Sequence, residues 1–301
     1  MNGEWKTTSC LIKRNVKMFF KDKGTFFTSL ITPIILLVLY VTFLYGIYKS
    51  SFKDAFGGFP IEEELLNGLV GGLLLSSLLA VSTVTVSFCS NLCMVADKVS
   101  GARSDFTVSP VSSRSLALGY YVSTAINALI ISYAATLVGF VYLAFTGWYM
   151  SVLDVLALFL DVLLLVLFGT ALSSIVCYPL TSQGQLSAVG TIVSAGYGFV
   201  CGAYMPISQF SEGVRTVLSF LPGTYGTSLV RNHALAGVYR ALEEDGVPQA
   251  AIDAVRAIAD CDVEFFGHAV ELWQMYVIVG VSVLLCVGAF VLLSCVKRKK
   301  R

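Results

Sequence analysis

Charged residues are scarce in this sequence. Only 13% of the 301 residues are Asp, Glu, Lys or Arg, whereas 56% are hydrophobic and the mean hydropathy is +0.79. A soluble globular domain carries about 25% charged residues. The composition therefore excludes an ordinary soluble domain and indicates a protein that crosses a membrane several times.

Residues that catalysis commonly needs are also missing. The phosphate-binding motif G-x-x-x-x-G-K-[ST] does not occur, so the chain cannot bind and hydrolyse a nucleotide by that route. The two histidines, His233 and His268, are expected to have surface or packing roles, and the eight cysteines lack metal-ligand spacing. We predict no catalytic residue and no metal ligand, and a membrane-embedded enzyme is a poor fit.

Long uncharged runs are what the sequence has instead. A helix needs about 20 apolar residues to cross a bilayer. The run 162–211 is long enough for two spans, and the polar stretch 178–185, which contains Pro and Gly, divides it. We predict an all-α polytopic membrane protein whose transmembrane domain, 25–301, has six transmembrane helices. The predicted spans are 25–47, 66–94, 116–145, 152–178, 186–205 and 272–296.

Lysine and arginine residues indicate the orientation of these spans. Fourteen of the 20 lie in residues 1–24, in the loop 96–115 and in the tail 297–301, which share one side if there are six spans. The other six Lys and Arg residues lie mostly among acidic residues. Both termini are therefore predicted to be cytoplasmic.

The segments at the two membrane surfaces differ in charge. Residues 1–24 place Trp5 and Phe19 at helical spacing opposite a lysine stripe, which predicts an interfacial amphipathic helix. The alternative is a cytoplasmic start of the first span. The outer segment 206–271 has nine acidic and four basic residues and is predicted to form re-entrant or extracellular helices. A disulfide between Cys201 and Cys261 remains open.

Asp161 is the one charged residue predicted to lie at depth inside a span, since Asp154 is near the outer boundary of the same span. It follows Asp154 by seven residues, which places it about 10 Å further along the helix. A charge at depth costs at least ~2.5 kcal/mol, and no predicted span contains a Lys or Arg to neutralise it. Asp161 is expected to face a wet cavity, to be protonated or to bond to hydroxyl groups. Alternatively, the span begins several residues later.

Three motifs resemble the permease subunit of type-2 ABC exporters, the six-span class that works with a separate ATPase. Asp97-Lys-Val-Ser-Gly101 and the following Ser109-Pro-Val-Ser-Ser-Arg114 resemble the family's loop between spans two and three. Gly202-Ala-Tyr-Met-Pro-Ile207 resembles the end of span five, and Leu221-Pro-Gly-Thr-Tyr225 resembles the re-entrant outer segment. The resemblance extends over nearly the whole chain.

The resemblance implies that the loop 96–115 contains a coupling helix that docks in a groove of the ATPase, with Phe106 and Val108 as apolar anchors. In the alternative, the charges of this loop only set the topology. The implied ATPase-coupling residues are Asp97, Lys98, Gly101, Arg103, Phe106 and Arg114. The implied translocation pathway runs between two permeases, with this chain pairing with a second copy or a paralogue. Its candidate residues, with Asp161 added, are Phe88, Asn91, Asp161, Tyr197, Phe199 and Tyr204.

The expected function is export of an amphipathic substrate (a drug, a lipid-like compound or a peptide) across the plasma membrane of a prokaryote. No cofactor is expected on this chain, because ATP and Mg²⁺ would bind to the partner ATPase. No nucleic-acid partner is expected. Export of a polysaccharide or lipid-linked glycan is the alternative within the family. Outside it, a secondary transporter would show repeated halves and several intramembrane charges, and a membrane anchor without transport is a third class.

Overall fold

The computed structural model describes residues 2–109 and 111–299. Pro110, which belongs to the motif 109–114, and residues 300 and 301 of the basic tail lie outside the described residues. Helices account for most of the described chain. In chain order they are α1 (Asn2–Lys21), α2 (Lys23–Leu39), α3 (Tyr45–Ala55), α4 (Glu63–Val99), α5 (Ala102–Val108), α6 (Ser113–Thr146), α7 (Val152–Cys177), α8 (Gln183–Val200), α9 (Glu212–Ser219), α10 (Pro222–Glu244), α11 (Gln249–Ala259) and α12 (Leu272–Lys299).

The fold is all-α and polytopic. Among the described residues, five helical stretches are long and apolar enough to cross a membrane. They are Lys23–Ala55, in which the π-helical turn Tyr40–Leu44 joins α2 to α3, Glu63–Val99, Ser113–Thr146, Val152–Cys177 and Leu272–Cys295. The helix α8 overlaps the expected fifth span, but Gln183, Gln185 and its glycines and serines dilute its apolar character, and it is not among the five. The count of six spans therefore stays a prediction.

The helix α4 lies at the centre of the bundle. It packs against α2, α6, α7, α8 and α10, and 94% of its most apolar stretch is buried. Small residues permit this close packing: a Cβ on Gly72 would lie 2.7 Å from a methyl carbon of Leu235, and one on Gly169 would lie 2.9 Å from the Cα of Val84.

The contacts define two ends of the bundle. At one end, which we call the basic end, Lys98 at the end of α4 contacts the carbonyls that follow α7, and Tyr178 Oη donates a 3.0 Å hydrogen bond to the carbonyl of Leu293 in α12. The helix α1 packs against α6 there, with Leu11 and Phe19 buried and its lysines exposed. The helix α1 and the last turns of α12 therefore share one end.

The opposite end, which we call the acidic end, holds the residues between α8 and α12. The helix α10 does not lie over the spans but packs among α4, α7 and α12, and a Cβ on Gly226 would lie 2.3 Å from a methyl carbon of Leu165 in α7. Between α11 and α12 stands a two-stranded antiparallel hairpin, β1 (Glu264–Phe265) and β2 (His268–Ala269), in which Phe265 pairs with His268. The helical pattern of the sequence did not predict this hairpin.

Candidate functional site

A cluster of charged and aromatic side chains joins four helices at the basic end. Arg14 of α1 donates two 2.8 Å hydrogen bonds to the two carboxylate oxygens of Asp97 in α4. Tyr120 of α6 donates a third, 2.7 Å long, to Oδ2 of the same carboxylate. The guanidinium carbon of Arg14 lies 5.2 Å from the ring centroid of Phe106 in α5. With Lys98, we call these residues the basic-end junction.

Lys98 fastens the end of α4 to the end of α7. Its Nζ donates hydrogen bonds of 2.5–3.1 Å to the carbonyl oxygens of Cys177, Tyr178 and Leu180. The last carbonyls of a helix have no partner within the helix, and a cation there also interacts favourably with the helix dipole. The ammonium group therefore caps α7 and at the same time sets its distance from α4.

The paired charges of the junction stabilise one another. Asp97 is buried, and Arg14 has about a third of its side chain exposed. The hydrogen bond to Asp97 raises the pKa of the Arg14 guanidinium above its ordinary value, although burial opposes this shift. The guanidinium therefore keeps its positive charge beside the carboxylate.

The expected ATPase-coupling residues occupy two kinds of position. Asp97 and Lys98 are engaged inside the chain, and Phe106 lies beneath Arg14. Arg103 is half-buried, with its guanidinium 5.5 Å from the ring centroid of Tyr178. Gly101, which takes a φ of 85° at the start of α5, and Arg114 are exposed. Asp105 and Val108 of α5 are also exposed, and Val108 keeps 90% of its surface.

The expected pathway residues also fall into two groups. Phe88 and Asn91 are buried between helices of this chain, and the amide of Asn91 donates 3.0 Å hydrogen bonds to the hydroxyls of Ser173 and Ser174. Phe199 at the end of α8 is exposed and packs edge-on against Tyr204. Tyr197 is half-buried, and its hydroxyl is buried without a hydrogen-bond partner.

Asp161, the sixth of these residues, lies in a second polar cluster. Its Oδ2 is 2.6 Å from Nδ1 of His233 in α10, and Tyr276 of α12 donates a 2.5 Å hydrogen bond to its Oδ1. We call these three residues the His233 junction. Of the environments expected for Asp161, the structure therefore contains a hydroxyl partner, and it adds an imidazole that the sequence had not connected with it.

A second ion pair joins the same two helices about two turns closer to the start of α7. Arg240 of α10 donates hydrogen bonds to Asp154 of α7, whose carboxylate also caps the start of α7 through Ser151. Asp154 pairs with Arg240 and Asp161 with His233, so α7 and α10 run antiparallel. The two aspartates are seven residues apart on α7, and His233 and Arg240 are also seven residues apart on α10. This matching spacing is the signal that could have identified His233 and Arg240 from the sequence.

The cysteines do not form disulfides in the structure. All eight are free thiols, and Cys201 and Cys261, whose pairing the sequence left open, are both buried. Burial raises the pKa of the Cys261 thiol to about 11, although a contact with the hydroxyl of Tyr239 partly opposes the shift. Among the described residues, no group of three His, Cys, Asp or Glu side chains could hold a metal ion.

Comparison with known proteins gave one match. A family model described as ABC-2 type transporter matches residues 7–234, from α1 to α10. The matched region includes the whole basic-end junction and reaches His233, whereas Tyr276 and α12 lie beyond it. Neither the curated proteins nor the solved structures contained a match.

Proposed function

Because this chain belongs to the ABC-2 type transporter family, we propose that it is the permease subunit of an ATP-driven exporter. The membrane component of such a transporter is not itself an enzyme. ATP and Mg²⁺ would be bound by a separate ATPase subunit, since the phosphate-binding motif is absent from this sequence.

The exposed side of α5 is the surface we assign to the ATPase. Val108 is an apolar side chain that is almost fully exposed, and the charges of Asp105 and Arg114 stand near it in the chain. Interfaces commonly combine an apolar anchor with a polar rim. We call Gly101, Asp105, Val108 and Arg114 the docking surface.

The basic-end junction supports a transmitting role for Asp97 and Lys98 rather than direct contact with the ATPase. The Asp97 carboxylate joins α1, α4 and α6, and Lys98 joins α4 to α7. Charge-assisted hydrogen bonds are about twice as strong as neutral ones. A displacement of α5 by the ATPase would therefore move these four helices together, because their ends are fastened to one another.

The substrate pathway is proposed to run along α8, between this chain and a second copy or a paralogue. Among the helices, α8 packs chiefly against α4 and leaves the small polar residues Ser187 and Thr191 exposed beside Ile192 and Phe199. A surface that mixes small polar, aliphatic and aromatic side chains suits an amphipathic substrate, such as a drug, a lipid-like compound or a peptide. In contrast, Phe88 and Asn91 are enclosed within one chain and would line a pathway only after α4 moves.

The proposed orientation places the basic end in the cytoplasm and the chain in the plasma membrane of a prokaryote. The docking surface and the lysines of α1 lie at that end, and an excess of Lys and Arg is typical of cytoplasmic loops.

The experiment is co-purification of the full chain with a candidate soluble ATPase that contains the phosphate-binding motif, followed by ATP hydrolysis in lipid nanodiscs. Val108→Glu should abolish capture of the ATPase, whereas Val217→Glu, at an exposed apolar position of α9, is the matched control and should leave capture intact. Asp97→Asn should preserve capture and reduce ATP hydrolysis, because it weakens transmission without changing the docking surface.

Two outcomes would contradict the proposal. If the ATPase is still captured when residues 97–108 are scrambled, then docking does not involve α5. If no ATPase co-purifies with the intact chain, the exporter assignment fails. Growth of a deletion strain against a panel of toxic amphipathic compounds tests the substrate class, and unchanged sensitivity to all of them would favour glycan export.

A further inference from the structure

The His233 junction is a buried titratable group that the coupling and pathway assignments leave unused. The Asp161 side chain keeps 1% of its surface, whereas the His233 side chain keeps 18%. Tyr276 lies in the second turn of α12, so the cluster is close to the start of that helix. The carboxylate is therefore enclosed, while the imidazole keeps part of its surface exposed.

The other charged groups around α10 are either paired or exposed, and the exposed ones include Glu243, Glu244 and, at the start of α12, Glu271. From α7, Asp154 is the next carboxylate, and it binds Arg240. Near α11, Asp260 binds Arg231, and Asp262 binds Arg256. The charged residues of α9, Glu212 and Arg215, are exposed. Where α4 meets α10, around Gly72, α4 contributes apolar and hydroxyl side chains.

We infer that the His233 junction is a protonation site that latches α10 onto α7 and α12. With a protonated imidazole, an ion pair and the Tyr276 hydroxyl hold the Asp161 carboxylate. With a neutral imidazole, the carboxylate keeps only neutral donors and loses the coulombic attraction of the imidazolium. Because α10 packs among α4, α7 and α12, weakening of this latch loosens the acidic end of the bundle.

The direction of the pH effect follows from the charges. A carboxylate within hydrogen-bond distance favours the protonated imidazole. The ion pair of the latch is therefore present while the imidazole is protonated and the carboxylate is ionised, and it is lost as the pH rises through the pKa of His233. The latch belongs to the chain itself and requires neither an ATPase nor a particular substrate.

The first test uses the fact that the chain contains only two histidines. The full chain, labelled with ¹⁵N-histidine and placed in nanodiscs without ATPase, is titrated by NMR from about pH 5 to about pH 9, the range in which histidines change charge. His268, exposed on β2, is the internal reference, and His268→Gln assigns its signal. Asp161→Asn should lower the midpoint of His233 by about one to two pH units, whereas Asp154→Asn, the matched control, should shift it by a small fraction of that.

The second test measures hydrogen exchange of residues 222–244 in the same samples, corrected for the intrinsic pH dependence of exchange. Protection of α10 should fall about tenfold as the pH rises through the His233 midpoint, which corresponds to about 1.4 kcal/mol of local opening. Asp161→Asn should remove this pH dependence, and His268→Gln should preserve it.

A His233 signal that does not titrate in this range, or one whose midpoint is the same in Asp161→Asn, would overturn the inference. So would protection of α10 that is independent of pH in the unmodified chain. Neither result bears on capture of the ATPase by Val108, so the latch and the exporter proposal fail or stand separately.

Discussion

The basic-end junction and the His233 junction both fasten a helix outside the five apolar stretches to helices within them, but they use different chemistry. At the basic end, the guanidinium of Arg14 and the ammonium group of Lys98 hold a carboxylate and three carbonyl oxygens. At the His233 junction, the only candidate cation is an imidazole. The strength of the basic-end junction does not depend on the charge of an imidazole, whereas the strength of the His233 junction changes when His233 gains or loses one proton.

The largest expected effect is at Asp97. Asp97→Ala leaves the Arg14 guanidinium and the Tyr120 hydroxyl without their acceptor, and breaking a largely buried pair in this way costs about 3 kcal/mol. Unfolding of the purified chain in detergent measures the loss. Asp105→Ala, which removes an exposed carboxylate on α5, is the control and should change stability by less than about 0.5 kcal/mol. Equal effects would mean that the basic-end junction does not hold the bundle.

The next effect concerns shape rather than charge. A Cβ on Gly237 of α10 would lie 2.0 Å from the carbonyl oxygen of Tyr149, so Gly237→Ala must displace α10 or the 147–151 loop. Overpacking of this kind costs about 1–3 kcal/mol. Gly190→Ala on α8, where a Cβ would meet nothing within 4 Å, is the control and should be neutral or stabilising. If Gly237→Ala is also neutral, polar contacts alone position α10.

Lys98→Met should have a smaller effect, about 1–2 kcal/mol, because it keeps the aliphatic stem and removes a charged donor from the last carbonyls of α7. Hydrogen exchange at residues 175–180 should increase, since the end of α7 loses its cap. Lys21→Met, at an exposed lysine of α1, is the control. Unchanged exchange at the end of α7 would show that the ammonium group does not hold that helix.

The smallest effect is expected at Tyr276. Tyr276→Phe removes one hydrogen bond to Asp161 and should cost about 1 kcal/mol. Tyr133→Phe, which removes a longer 3.3 Å bond to the carbonyl of Phe159, should cost less. Thermal unfolding of both variants, measured side by side, compares the two. A larger loss for Tyr133→Phe would mean that the hydroxyl is not part of the His233 junction.

The fold class could be predicted from local patterns in the sequence. Uncharged runs predict membrane-spanning helices because bilayer insertion depends on the summed apolar surface of one segment. The alternation of apolar residues and lysines in α1 likewise depends only on neighbours along one helix. The helix boundaries and the span expected at α8 were harder to predict. The helix α8 contains small polar residues, and whether they can face the membrane depends on what covers them.

The candidate sites were predictable only in part. The loop 96–115 stood out by its charge, but its pairings did not, because Arg14 precedes Asp97 by 83 residues. From the sequence, Asp161 is an intramembrane charge without a partner, because no predicted span contains a Lys or Arg. Its partner, His233, lies on α10, outside the predicted spans, and reaches Asp161 because that helix folds back among them.

By itself, the sequence determined that this chain is an all-helical membrane protein whose lysine-rich and acidic segments are distinct. Both properties are sums over neighbouring residues, so no folding is needed to evaluate them. Only the tertiary structure decided that Asp97 and Lys98 face inward, that Val108 faces outward, and that Asp161 has an imidazole beside it. A charge selects its partner by distance in space, and the packing of α4 among its neighbours sets those distances.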